Sequence, residues 1–154
     1  MSFFGNISSL KTKSTNIDLL TNADTESEAL IISEIQKKYP NHSILSEEQD
    51  MINKKETYRW VIDPLDGTTN FAHNLPIFAV SIALKKDNYI QTGVVFNPAV
   101  DKCFYAEKNK GAFLNNKKIK GSTTKKLENS LLATGFPYLH DEKYHKSFDL
   151  FKDF

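Results

Sequence analysis

The chain has 154 residues, of which 40% are hydrophobic, and a sequence of this composition can bury one ordinary core. Its 20 basic residues balance 19 acidic ones, so the net charge of +1 gives no electrostatic footprint for nucleic acid or an anionic membrane. No apolar run reaches the length of a membrane helix, and the single cysteine, Cys103, excludes an internal disulfide and a cysteine-based zinc site. We therefore expect a globular cytoplasmic protein without a membrane or nucleic-acid partner.

The first predicted element is a helix that begins near Asp24 and ends before Pro40. Thr25 and Glu28 have the spacing of a capping box, in which two side chains bond the free N–H groups of a helix start. Pro40 ends the helix after Tyr39, because proline cannot continue the hydrogen-bond ladder. The apolar positions at helical spacing predict its buried face: Ala29, Ile31, Ile32 and Ile35.

Short strands separated by turns are predicted beyond this helix. They fall at 43–45, 58–62, 77–84, 89–96, 102–106, 111–114 and 117–120. Since neighbouring strands are joined by short turns, we expect an antiparallel sheet.

The last part of the chain predicts one more strand and one more helix. Residues 131–134 form the strand pattern, and an apolar face recurs at helical spacing at Tyr144, Phe148 and Phe151. No helix stop signal precedes Phe154, so we expect this segment to open a further domain.

Chemically informative residues follow the predicted strand at 58–62. The strand delivers Asp63, and Pro64 interrupts its hydrogen-bond ladder. Asp66 lies a few positions further on, and Gly67 permits a tight turn of the backbone. Two carboxylates at a strand end are suited to bind a cation.

A short helix is predicted to begin directly after this turn, at Thr68 and Thr69. The free N–H groups of a helix start favour an anion, so a cation site would adjoin an anion site. A phosphate ester with Mg²⁺ requires both.

Asp-Pro and Asp-Gly pairs also occur as plain turn chemistry. That reading leaves unexplained a second acidic pair, Glu47 and Glu48, at another strand end, and Asp24 at a helix start. Carboxylates without Lys or Arg nearby in sequence favour a metal, and hard oxygen ligands favour Mg²⁺ or Mn²⁺ over zinc. The histidines are isolated in sequence and are interpreted as surface or packed residues: His42, His73, His140 and His145.

The segment 63–70, Asp-Pro-Leu-Asp-Gly-Thr-Thr-Asn, resembles the signature of the inositol monophosphatase family. Segments similar to its other landmarks occur in the family's order at 13–24, 44–48, 78–84, 93–96, 111–115 and 132–137. The resemblance covers about residues 11–140, and bacterial inositol-1-monophosphatases are the nearest group. It implies an α/β fold, a layered α+β sandwich with an antiparallel sheet and helices. Residues 1–125 would form an N-terminal metal-binding phosphatase domain, and 126–154 the start of an incomplete C-terminal α/β domain.

The resemblance also implies a two-metal site. Glu47, Asp63 and the Leu65 carbonyl would bind one metal. Asp63 and Asp66 would contribute to the second, so that Asp63 bridges the pair. Glu48 would have a supporting role.

Catalytic and substrate-binding roles follow from the same resemblance. Asp24 and Thr68 would orient and deprotonate the attacking water. The substrate phosphate would be held at Asp66, Gly67, Thr68 and Thr69. No covalent enzyme intermediate is required, and Cys103 is interpreted as a packing residue.

The implied activity is that of a Mg²⁺-dependent phosphoric monoester hydrolase, with Mn²⁺ as a substitute. Its substrate would be an inositol monophosphate or a similar small phosphorylated metabolite, attacked by a metal-activated water. Related sugar-phosphate or nucleotide phosphatases remain open, as does a truncated, inactive fragment that binds metal or a partner protein. A homodimer remains open for the full-length form.

Three features depart from the family pattern. Ser46 stands where the family commonly has Gly. The family's longer N-terminal helix, and a later Trp-Asp motif that completes the second metal site, are missing from these 154 residues.

Overall fold

The computed structural model describes residues 3–6, 10–12, 19–49, 51–52, 54, 57–135 and 142–152. The strands are β1 (Leu10–Thr12), β2 (Leu19–Thr21), β3 (Ser43–Ser46), β4 (Tyr58–Asp66), β5 (Ala79–Lys86), β6 (Tyr89–Asn97), β7 (Lys102–Glu107), β8 (Gly111–Leu114) and β9 (Lys117–Ile119). The α-helices are α1 (Asn22–Lys38), α2 (Thr68–Ala72) and α3 (Glu142–Lys152). Within these ranges, none of the helices has the length and apolar character needed to cross a membrane.

Seven strands form one sheet in the order β3-β4-β5-β6-β7-β8-β9, and β1 pairs with β2 separately. The pairs from β4 to β9 are antiparallel, as predicted. Strand β3, however, runs parallel to β4, with Ser43 opposite Arg59 and Ser46 opposite Ile62. The expected antiparallel sheet is therefore confirmed from β4 to β9 and is wrong for β3. The direction of β3 depends on a longer connection that local turn signals do not specify.

Strand β4 continues past the point where the sequence predicts its end. Asp63 lies opposite Ser81 and Asp66 lies opposite Ala79, with a register irregularity between them. Pro64 has no N–H to donate, so it interrupts the ladder locally without ending the strand. The acidic residues therefore lie on a bulged strand end.

The start of α1 differs from the predicted capping box. Thr21 is the N-cap, and its backbone N–H and hydroxyl donate to Asp24 Oδ2 at 2.7 Å and 2.6 Å. Thr25 instead donates its hydroxyl to a backbone carbonyl, and Glu28 is buried within the helix. The box assigned to Thr25 and Glu28 is wrong because an equivalent pair, one turn earlier, meets the extended end of β2. The predicted stop is confirmed, with Tyr39 as the C-cap.

Two clusters of buried side chains hold the helices to the sheet. One joins α1 to β3 and β4 and consists of Ile32, Ile35, Ile44 and Ile62. The other surrounds α2 and consists of Ala23, Leu65, Phe71 and Phe78. Full burial of a large apolar side chain contributes about 1.5–3 kcal/mol, so these clusters fix α1, β4 and α2 relative to one another.

The hairpins of the sheet agree with the sequence. Strand β5 ends at Lys86 and β6 begins at Tyr89, and Asp87 between them has φ 52°. Asn115 and Asn116 join β8 to β9 at φ 45° and 67°, which asparagine tolerates well. No residue of β5 to β9, all of which the structure describes, is fully buried.

The two predicted elements near the C-terminus have different outcomes. Residues 131–134 belong to no strand, so that prediction is wrong. The segment 131–134 is apolar, but a strand must also form hydrogen bonds with a neighbouring strand. Within the described ranges, no strand pairs with this segment. The predicted helix is confirmed as α3, which contains Tyr144, Phe148 and Phe151. The domain boundary after residue 125 stays a prediction.

Candidate active site

The site lies where the C-terminal end of β4 meets the first turns of α1 and α2. Gly67 makes this geometry possible, since it has φ 87° and immediately precedes α2. A Cβ atom at Gly67 would lie 2.9 Å from the Ile77 carbonyl oxygen. Any other residue at this position would therefore require the backbone to shift. The predicted tight turn and short helix are both confirmed. Thr68 and Thr69 thus become the first residues of α2, where backbone N–H groups lack partners within the helix.

Asp24 and Thr68 come together from separate helices. The Thr68 hydroxyl lies 3.0 Å from Asp24 Oδ1 and 3.0 Å from the Leu65 carbonyl oxygen. Asp24 is 1% exposed, and the two bonds from Thr21 hold its other oxygen. A hydroxyl has one proton, so while Thr68 donates to one of these oxygens its lone pairs can accept from a water molecule. The pair can therefore orient a water beside the Leu65 carbonyl.

Glu47 and Asp63 form the second close pair. The pKa of Asp63 is raised to about 7 by burial, by the charge and hydrogen bond of Glu47, and by the charge of Asp66. The Leu65 N–H, which donates to Asp63 Oδ1 at 3.1 Å, opposes this rise in pKa. Two carboxyl groups in hydrogen-bond contact repel each other unless a proton or a cation lies between them. The raised pKa of Asp63 and its contact with Glu47 give this pair the chemistry to bind a cation.

The donor set fits Mg²⁺ with several waters. Within the described ranges, no three Asp, Glu, His or Cys side chains converge closely enough to hold a metal by themselves. The Glu47 and Asp63 carboxyl groups are in contact, Leu65 is bonded to Asp63 through its N–H, and Asp66 is exposed beside them. Mg²⁺ is commonly bound by one or two carboxylates and keeps water in its remaining positions, so the fit does not require a closed cage of side chains.

Glu28 is buried and does not take part in the cap of α1 for which its spacing is suited. It is 1% exposed, and its Oε1 accepts the backbone N–H of Glu48 at 3.1 Å. The spacing from Asp24 to Glu28, one helical turn, places both carboxylates on the same face of α1. That spacing was the signal available in the sequence.

The histidines and the cysteine lie away from this group of residues. His42 is stacked between Tyr39 and Tyr58 at 4.9 Å from each ring, and its Nδ1 accepts from Trp60 Nε1 at 3.1 Å. It is a packed histidine, as predicted. The other residues are placed as follows: His73 and His145 are exposed, Cys103 is half-buried in β7, and His140 lies outside the described residues.

Residues 4–152 match the inositol monophosphatase family. The match spans nearly the whole chain and includes every residue of the site. The chain therefore belongs to the inositol monophosphatase family, and the resemblance seen in its motifs is confirmed.

Two curated relatives illustrate the similarity. The chain is 45% identical over 122 residues to Nus factor SuhB of Escherichia coli K12, which covers 79% of this chain and 46% of that protein. It is 43% identical over 138 residues to the inositol-1-monophosphatase of Synechocystis, which covers 89% of this chain and 48% of that protein. The chain thus spans about half the length of these relatives.

Solved structures confirm the α/β layered fold. The extragenic suppressor protein SuhB of Bartonella henselae superposes with a TM-score of 0.91 at 35% identity, covering 99% of this chain and 59% of that one. An IMPase/NADP phosphatase complexed with Mg²⁺ and phosphate superposes with a TM-score of 0.75 at 25% identity, covering 82% of this chain and 49% of that one.

Proposed function

We propose that this chain contributes the metal-binding half of a Mg²⁺-dependent phosphomonoesterase of the cytoplasm. Its substrate would be an inositol monophosphate or a similar small phosphorylated metabolite. The observation that carries the proposal is that two pairs, Glu47 with Asp63 and Asp24 with Thr68, are joined through Leu65. The Leu65 N–H donates to Asp63, and the Leu65 carbonyl accepts from Thr68. Family membership and the relative bound to Mg²⁺ and phosphate support the same reading.

Each residue has a proposed task in this reaction. Glu47, Asp63, Leu65 and Asp66 would hold Mg²⁺, or Mn²⁺ in its place. When bound, the metal would make a water more acidic and neutralise phosphate charge. Glu48 would support this group through its backbone.

The remaining residues would act on the water and the phosphate. The Thr68 hydroxyl would accept a hydrogen bond from the attacking water, while Asp24 fixes that hydroxyl and receives the proton. Asp66, Gly67, Thr68 and Thr69 would hold the phosphate, since N–H groups at a helix start favour an anion.

Phosphate release from inositol 1-phosphate tests the proposal. The chain and its full-length protein are assayed in Mg²⁺ and in excess chelator, with a sugar phosphate and a nucleoside phosphate as competing substrates. Release that requires Mg²⁺ supports the proposal, and equal release in chelator contradicts it. Asp63→Asn should abolish release, whereas Asp87→Asn, the same change on an exposed turn, should not.

A second candidate is a role in binding a partner protein without turnover. It is favoured by the relatives that bear the name Nus factor SuhB. Mg²⁺ binding without phosphate release from any of the three substrates by the full-length protein would favour this candidate over the first.

A further inference from the structure

Glu28 is a buried carboxylate that the proposed reaction does not use. It lies in the middle of α1, where its side chain is 1% exposed. Burial of a carboxyl group is unfavourable unless its oxygen atoms receive hydrogen bonds. An apolar side chain of similar size would fill the same space at lower cost, so the contact with the Glu48 N–H calls for a functional explanation.

One face of α1 holds two separate parts of the site. Asp24 binds the Thr68 hydroxyl at the start of α2, at 3.0 Å. One turn further along, Glu28 binds the backbone N–H of Glu48, at 3.1 Å, in the segment that follows β3. Because a packed helix is stiff, these two contacts set the separation between the water-orienting pair and the segment that carries Glu47.

The hydrogen bond from the Glu48 N–H to Glu28 also acts on the backbone of Glu47. That N–H belongs to the peptide group that directly follows the Glu47 Cα atom. Strand β3 ends at Ser46, so the sheet ladder no longer restrains the backbone at Glu47. The bond from Glu28 restrains the peptide group that follows Glu47, and the Glu47 carboxyl group is in contact with Asp63.

We infer that Glu28 is a positioning residue that holds the Glu47–Glu48 peptide group so that the Glu47 carboxylate faces Asp63 before a cation binds. The inference rests on the proposed function, since Glu47 and Asp63 are the proposed cation ligands. Residues that orient metal ligands without touching the metal commonly raise metal affinity about 10- to 100-fold.

Substitutions at Glu28 that differ in their acceptor oxygen test the inference. Glu28→Gln keeps an oxygen at the same reach, and Glu28→Met keeps the volume without an acceptor. Mg²⁺ affinity is measured by isothermal titration calorimetry on the whole chain. We expect Glu28→Gln to bind Mg²⁺ like the wild type and Glu28→Met to lose about 10- to 100-fold. Glu26→Met, which removes the same charge from an exposed position of α1, is the matched control and should bind normally.

Unchanged Mg²⁺ affinity in folded Glu28→Met would overturn the inference. If that variant does not fold, Glu28→Asp decides, because it withdraws the carboxylate by about 1.5 Å. We then expect weaker Mg²⁺ binding at an unchanged unfolding midpoint in chelator, and normal binding overturns the inference.

A readout without metal separates this inference from the proposed function. Hydrogen exchange of the Glu48 amide should be slow in the metal-free wild type and in Glu28→Gln, and fast in Glu28→Asp. Fast exchange in the wild type would overturn the positioning role. If the wild type shows slow exchange at the Glu48 amide but binds no Mg²⁺, the contact with Glu28 is present. That result contradicts the proposed function and not the contact.

Discussion

Without metal, Asp63→Asn should be more stable than the wild type. With Mg²⁺ added, the same variant should be less stable than the wild type. The folded-state pKa of Asp63, about 7, lies above its ordinary value of 3.8. A carboxyl group shifted in this direction contributes stability that is fully present below pH 3.8 and is lost as the pH rises through about 7. At pH 8 the wild type without metal therefore carries an unfavourable charge beside Glu47, which Asn removes.

The size of this effect follows from the pKa and the exposure of the group. The folded-state pKa of Asp63 lies about 3 above its ordinary value, which corresponds to an upper bound of about 4 kcal/mol on the gain in unfolding free energy. Asp63 is only half-buried, so solvent screening reduces the expected gain to about 1–2 kcal/mol. For a chain of this size, that gain raises the Tm by about 2–8 °C.

The assay is thermal or urea unfolding followed by Trp60, the single tryptophan, at pH 5 and pH 8. In chelator at pH 8, Asp63→Asn should unfold at the higher temperature. Mg²⁺ at about 100 times its Kd should then stabilise the wild type by about 2.7 kcal/mol and the variant far less, so that the order reverses. Asp87→Asn serves as the control for the same chemical change and should behave like the wild type.

Two results would refute this reasoning. The first is a difference in unfolding free energy between the metal-free wild type and Asp63→Asn that is the same at pH 5 and at pH 8. That result would mean that the negative charge of Asp63 is not destabilised by Glu47. The second is equal stabilisation of both proteins by Mg²⁺, which would place the cation elsewhere.

Three further predictions concern catalysis, the turn and the core. In the proposed phosphatase reaction, Thr68→Ala and Asp24→Asn should each lower kcat by about 10²–10⁴ with metal affinity largely retained, and the double variant should cost little more than the worse single one. By chemical denaturation, Gly67→Ala should destabilise by about 1–3 kcal/mol, because of its φ of 87° and the 2.9 Å contact, while Gly121→Ala, which meets open space, should not. Ile44→Ala, at a side chain 1% exposed, should cost about 2–5 kcal/mol of the free energy of unfolding.

Each of these has an outcome that contradicts it. Additive losses in the double variant would mean that Asp24 and Thr68 perform separate tasks. A Gly67→Ala variant as stable as Gly121→Ala would show that the turn can relax. An Ile44→Ala variant within about 0.5 kcal/mol of the wild type would show that the cluster between α1 and the sheet does not contribute as described.

Local patterns predicted most of the elements correctly, and the reasons are local. Pro40 cannot continue a helix, Asn115 and Asn116 tolerate positive φ, and Gly67 permits the turn before α2. Each depends only on the backbone of the residue itself, so the printed sequence is sufficient.

The errors concern choices between equivalent local patterns. Thr21 with Asp24 and Thr25 with Glu28 both have capping-box spacing, and only the path of the chain into α1 selects the first pair. Residues 131–134 have an apolar pattern, but a strand also requires a partner edge. The parallel direction of β3 depends in the same way on the path of the connection to β4.

The sequence by itself determined the family, the acidic motif and the residue types of the site, because these are properties of short segments. Only the tertiary structure decided which of them meet. Asp24 and Thr68 are 44 positions apart, and Glu28 and Glu48 are 20 apart, yet each pair is hydrogen-bonded. The physical reason is packing: burial of the α1 face against β3 and β4 places Asp24 and Glu28 against the site, and that arrangement follows from the summed apolar contacts of the core.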